Sequence, residues 1–127
     1  MPLLKRKPEY YNKFDCVYKF TCEKGCEQEY IGETKRRIRE RFMEHGRLKS
    51  SSVCTHIAQC EHYNMKLNET YNDPGLKDKR EFLKSHFKIM CSGLSDYRQR
   101  TIREALMIRL YRPTLNEQTI HRNIQII

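Results

Sequence analysis

Two sets of side chains in this chain have the types and spacing to do chemistry. The first is thiolate and imidazole. Cys22 and Cys26 flank Gly25 in a stretch that reads as a turn, and His56 and His62 follow downstream. Cysteine and histidine pairs brought together in space suit tetrahedral zinc. The long gap between the pairs is unlike a small zinc finger, so the ion would staple the turn to a later helix. A closed site of that kind adds folding stability rather than catalysis. Cys60 is a rival to His62, because His56 and Cys60 lie one helical turn apart, and Cys54 is a weaker rival. Cys16 and Cys91 read as buried thiols. The plain alternative is several unrelated buried cysteines beside surface histidines.

The second set is Tyr18, Tyr30, Arg41, His45 and Glu104. Arg41 and His45 share one helix face, and the two tyrosines lie on neighbouring strands. Such a group suits a phosphodiester, since a guanidinium grips phosphate with a planar fork and steadies charge that grows in the transition state. A working tyrosine needs nearby cations or a metal to lower its hydroxyl pKa from about 10. Glu104 falls in a helix that otherwise looks buried, where a carboxylate must be paired, hydrogen-bonded or metal-bound. Each residue also has a plain reading. Arg36, Arg37, Arg39 and even Arg41 fit a solvated basic face, Tyr18 and Tyr30 fit a cross-strand pair, and Glu104 fits a salt bridge to Arg100 or Arg103, or simple exposure on the helix's outer face.

These side chains need a scaffold. The 127 residues suit one domain. Only 38% are hydrophobic and there is no Trp, so eight Tyr and five Phe supply much of the core's bulk. A staple would help so lean a core. The net charge of +9 points to a polyanionic partner, nucleic acid before an anionic membrane. No apolar run approaches membrane-spanning length and no signal-peptide core follows the start. With six Cys and no such signal, a reduced metal site is favoured over a secreted disulfide framework. Lys5-Arg6-Lys7 is a short basic cluster that suits a nuclear address or a solvated tail.

The order of elements follows from periodicity and punctuation. Residues 1–13 read as a basic tail or linker, residues 14–117 as the domain and residues 118–127 as a second tail. Phe14 to Thr21 and Glu27 to Ile31 predict a hairpin across the Cys22–Cys26 turn. Thr34 is a candidate N-cap for a helix that lays Ile38 and Phe42 on the core and stops near Gly46. Ser50-Ser51-Ser52 caps a short helix from Val53 to Cys60. Glu61 to Ser85 is hard to read beyond an Asn72–Gly75 turn and a helical piece from Lys77 to Ser85. Phe87 to Met90 predicts a third strand. Ser95 or Asp96 caps a helix from Tyr97 to about Tyr111, with Ile102, Ala105, Leu106 and Leu110 turned inward, and Pro113 to Asn116 is an extended exit.

In this order, the motifs resemble those of the GIY-YIG nuclease family. Cys16-Val17-Tyr18 stands for its first motif and Tyr30-Ile31-Gly32 for its second. Tyr30, Arg41 and His45 follow its helix spacing. Arg103-Glu104-Ala105-Leu106 and Pro113-Thr114-Leu115-Asn116 look like its carboxylate helix and terminal Asn. More narrowly, Val17-Tyr18-Lys19-Phe20-Thr21-Cys22, Cys26 close before Tyr30-Ile31-Gly32-Glu33-Thr34, and the Ser-Ser stretch running to His56 and His62 resemble the endonuclease domain of Penelope-like retroelements. That branch carries a Cys-Cys-His-His zinc motif within the GIY-YIG core. The likeness covers about Asp15 to Asn116.

The resemblance implies an α+β fold, a small three-stranded antiparallel sheet flanked by helices with an inserted zinc site. It implies a DNA endonuclease that nicks for retroelement insertion, acting in the nucleus and set beside an upstream reverse transcriptase domain. Glu104 would hold Mg²⁺ or Mn²⁺. Tyr18 would activate or position water with Tyr30 assisting, Arg41 would stabilise the phosphorane-like state, His45 would support the site and Asn116 the architecture. Cys22, Cys26, His56 and His62 would hold Zn²⁺. Two departures stand out: Cys16 replaces the family's first Gly, and Asn64 to Ser85 is longer than expected. The alternative function is a catalytically inactive, zinc-stapled nucleic-acid-binding module.

Overall fold

Side-chain alternation along Cys16-Val17-Tyr18-Lys19-Phe20-Thr21 sets the centre of the molecule. This stretch is β1 (Cys16–Thr21), paired antiparallel with β2 (Glu29–Thr34) on one side and β3 (Phe87–Cys91) on the other. The computed structural model describes residues 8–116. Within them the fold is α+β, a three-stranded antiparallel sheet flanked by helices, as the sequence predicts. Successive strand residues face opposite sides. Tyr18 and Phe20 therefore share one face, where they meet Phe42, Phe82 and Phe87 in the main core. Val17 and Ile31 are fully buried on the opposite face.

Helix α1 (Ile38–Arg47) buries Ile38, Phe42 and His45 on the first face. Phe42 stacks on Phe87 with ring centroids 4.2 Å apart. Helices α2 (Ser52–Gln59), α3 (Glu61–Thr70) and α4 (Leu76–Lys84) follow and close the same core through Val53, Tyr63, Leu67, Phe82 and Leu83. Ser51 caps α2, its side chain accepting from the Cys54 N–H, as expected. The segment after residue 60, which the sequence left open, is thus two helices joined across the predicted Asn72–Gly75 turn. Helix α5 (Tyr97–Tyr111) packs on β2 and β1 and is capped by Asp96.

Several boundaries differ from expectation. Residues Pro8–Asn12 form a 3-10 helix rather than tail. Tyr10 Oη accepts from the Ile89 N–H at 2.7 Å, and the Tyr11 ring meets Phe42 edge-on. Asp15 has φ of 54°, so β1 starts at Cys16 and leaves Phe14 exposed. Thr34 does not cap α1. It ends β2, where its Oγ1 accepts from the Arg36 N–H, and Arg37 is the N-cap residue without a side-chain bond. Gly46 lies inside α1, where a Cβ would come 2.6 Å from Leu83. Residues 114–116 are helical rather than extended. Residues 1–7, with Lys5-Arg6-Lys7, and the expected tail 118–127 lie outside the described residues.

The largest correction is to α5. Its expected core face is exposed: Ile102 by 60%, Leu106 by 57% and Leu110 by 73%, and Ala105 is exposed too. The buried residue of α5 is Arg100. Arg100 and Glu104, one turn apart, lie on the covered side of the helix with Ile108. Glu104 is two residues from both Ile102 and Leu106, so at about 3.6 residues per turn those side chains point to opposite sides.

Candidate active site and metal centre

Tyr18 comes from the middle of β1, and Arg41 and His45 come from one face of α1. Arg41 Nε donates to Tyr18 Oη at 3.0 Å. Tyr18 Oη and His45 Nε2 are 2.6 Å apart, and His45 Nδ1 and Ser51 Oγ are also 2.6 Å apart. Burial, aided by the Arg41 charge, pushes His45 down to about 3, so the imidazole is neutral. A neutral ring has one donor and one acceptor. Tyr18 is fully buried, and the arrangement that gives its hydroxyl proton an acceptor has Tyr18 donating to His45 Nε2, with Nδ1–H donating to Ser51 Oγ. Burial also raises the Tyr18 hydroxyl pKa, with the Tyr30 charge adding and Arg41 opposing.

Gly32 makes room for this arrangement. It pairs directly with Tyr18 across the strands, and a Cβ there would stand 2.5 Å from Tyr18 Oη. Tyr30 lies on the same face, its ring centroid 6.4 Å from that of Tyr18. Burial raises the Tyr30 hydroxyl, Arg41 opposes, and Glu104 adds to the rise.

Glu104 enters from α5. Burial and the Glu33 charge raise its pKa to about 7, with Arg41 and Arg100 opposing. Among the described residues it has no ion-pair partner, so the plain reading of a salt bridge to Arg100 or Arg103 does not hold. Arg100 is committed elsewhere. Only 4% exposed, it bonds Glu33 through Nε, Asp15 through Nη1 at 3.2 Å, and the Leu94 carbonyl at 3.0 Å. Asn116 does architectural work. Its Oδ1 accepts from the Ile31 N–H and its Nδ2 donates to the Ile31 carbonyl, both at 2.7 Å.

The second cluster lies at the β1–β2 turn. Cys22, Cys26, His56 and Cys60 place their ligand atoms within 4.8 Å of one another, and together they could hold a metal ion. Cys22 Sγ and Cys60 Sγ are 3.7 Å apart, and Cys26 Sγ lies 3.3 Å from His56 Nε2. All six cysteines are free thiols. His62, expected as the fourth ligand, is exposed and outside the group. Its ring lies over the turn, where a Cβ on Gly25 would come 2.7 Å from it. Cys60 takes the place because it is buried at the end of α2, one turn from His56, whereas His62 opens α3 and faces solvent.

The structure therefore brings Tyr18, Tyr30, Arg41, His45 and Glu104 into one electrostatic group. It sets Asn116 on the backbone of β2 beside them. Sequence reasoning took Ser51 only as a cap, and missed Glu33 and Asp15 as the partners of Arg100. Among the described residues, no helix is long and apolar enough to cross a membrane. The chain matches no family model, no curated protein and no solved structure.

Proposed function

We propose that this protein is a metal-dependent DNA endonuclease of the GIY-YIG type, carrying a structural zinc ion. The observation that carries the reading is the bonded line Arg41–Tyr18–His45–Ser51 beside a partly buried carboxylate, Glu104, that has no ion-pair partner among the described residues. Tyr18 has a hydroxyl whose proton is already directed at a neutral imidazole. Tyr18 Oη, held between Arg41 and His45, would position the attacking water, and Arg41 would steady the negative charge that grows on the phosphoryl group. Arg41 Nη1 also pairs with Glu44 at 3.3 Å, so its remaining donors would be the ones to meet a phosphate, with Tyr30 beside Tyr18 on the same face of the sheet.

Glu104 fits a divalent cation, since a partly buried carboxylate with no ion-pair partner among the described residues favours positive charge. Mg²⁺ or Mn²⁺ bound there would supply Lewis acidity to the phosphoryl transfer. Zinc fits the Cys22, Cys26, His56 and Cys60 group. Two tetrahedral thiolates at about 2.3 Å from zinc stand roughly 3.8 Å apart, close to the 3.7 Å between Cys22 and Cys60. Two ligands come from the hairpin turn and two from α2, so the ion ties those elements together. The narrower setting is nicking for retroelement insertion, in the nucleus, beside a reverse transcriptase domain. It rests on the motif resemblance alone.

The test is conversion of supercoiled plasmid to open circles with Mg²⁺ or Mn²⁺, by the parent chain and by Glu104→Ala, with DNA binding measured on both. Nicking by the parent and binding without nicking by the variant is the expected result. If neither cuts, both bind equally and zinc is present, the chain is a zinc-stapled nucleic-acid-binding module instead.

A further inference from the structure

Helices α1, α2, α3 and α4 enclose a groove of about 680 Å³ that Tyr18, Tyr30, Arg41 and Glu104 do not line. Phe42, Ile57, Leu67 and Leu83 make its floor apolar, and Met43 and Leu76 extend that surface to the rim. Met43 is 38% exposed and Leu76 is 65% exposed. Arg47 stands on the α1 wall, and Lys79 and Arg80 stand on the α4 wall. Among the described residues none of these three cations has a carboxylate partner, and no carboxylate lines the groove.

We propose that this groove binds an unpaired nucleic-acid strand, with base faces on the apolar floor and phosphates on the two walls. The inference rests on the nucleic-acid part of the reading above. Charge complementarity selects an anion, and cations on both walls select one with repeated charges. A single-headed amphiphile would leave one wall unmatched. A duplex keeps its bases stacked inside and its phosphates outside, so it would leave the apolar floor unused. An unpaired strand alternates flat apolar faces with phosphates at each residue, and so uses both features. The groove gives the protein a preference for single-stranded or locally opened nucleic acid.

Fluorescence polarisation tests this with labelled short oligo(dT) and a hairpin duplex of the same nucleotide count, at one salt concentration without added Mg²⁺. Met43→Gln/Leu76→Gln removes exposed apolar surface without changing charge, on helices that tolerate Gln. It is expected to weaken oligo(dT) binding by about tenfold and to leave the duplex nearly unchanged. Lys79→Glu/Arg80→Glu is expected to weaken oligo(dT) binding well beyond Arg98→Glu/Arg103→Glu, an equal charge change on α5. The proposal is overturned if the Gln pair leaves oligo(dT) binding unchanged, or weakens the duplex equally. It is also overturned if dodecanoate binds the groove and oligo(dT) does not. Loss of plasmid nicking with intact oligo(dT) binding in the groove would remove the nuclease reading alone.

Discussion

Asn116 bonds both backbone groups of Ile31, accepting from its N–H and donating to its carbonyl, each at 2.7 Å. β2 is an edge strand, so this side chain stands in for a neighbouring strand on buried backbone. Asn116→Ala is expected to lower stability by about 1–3 kcal/mol, because it leaves those groups without partners. Asn116→Asp is expected to do no better, since a carboxylate accepts from the N–H but repels the carbonyl. Chemical denaturation of the three proteins checks this.

Tyr18→Phe removes the hydroxyl between Arg41 and His45 and keeps the ring in the core. If Tyr18 positions the attacking water, nicking falls by about 10²-fold or more, while DNA affinity stays close to that of the parent. Single-turnover nicking beside a binding titration reads both. Equal loss of nicking and binding would assign Tyr18 to binding only.

Arg100 is a buried cation joined to Glu33 on β2 and Asp15 ahead of β1. Removing one member of a buried pair leaves charge without compensation, so Arg100→Ala is expected to cost about 3–5 kcal/mol. Arg100→Ala/Glu33→Gln is expected to cost less than the sum of the single changes. A double-mutant cycle by denaturation measures the coupling.

Zinc content separates two neighbouring residues. Cys60→Ala is expected to abolish stoichiometric zinc binding, and His62→Ala to preserve it. Native mass spectrometry of both variants, with the parent as reference, gives the stoichiometry directly. Zinc lost from His62→Ala and kept in Cys60→Ala would restore the sequence-based ligand set.

Glu104 gives a pH dependence with a definite sign. It ionises at about 7 in the fold against 4.5 when unperturbed, chiefly through burial and then the Glu33 charge. Between those values the folded chain keeps a proton that the unfolded chain has lost, so stability falls as pH rises. The contribution is whole below 4.5 and gone once pH passes about 7. Glu104→Gln carries no such charge. Its melting temperature in magnesium-free buffer is expected to exceed the parent's at pH 8, with a smaller gap at pH 5.

Local pattern in the sequence determined the elements that carry the site. Alternation in β1, the one-turn spacing of Ile38 and Phe42 and of Arg41 and His45, and the caps Ser51 and Asp96 depend on neighbours a few residues apart. Their physics can be read without a fold. The motif order also placed Tyr18 and Tyr30 on paired strands and Glu104 on the helix beside them, whereas Asn116, expected on an extended exit, lies in a helical stretch. Only tertiary structure chose between partners that local pattern leaves equivalent. Cys60 and His62 are close in sequence, and the end of α2 turns one inward and the other to solvent. An apolar stripe says which residues of α5 share a side, but not which side is covered. The covered side carries Arg100, Glu104 and Ile108, and from it Arg100 reaches Glu33 and Asp15, 67 and 85 residues away. A buried cation must find its carboxylates wherever the chain returns them, and with that side covered Ile102, Leu106 and Leu110 face outward.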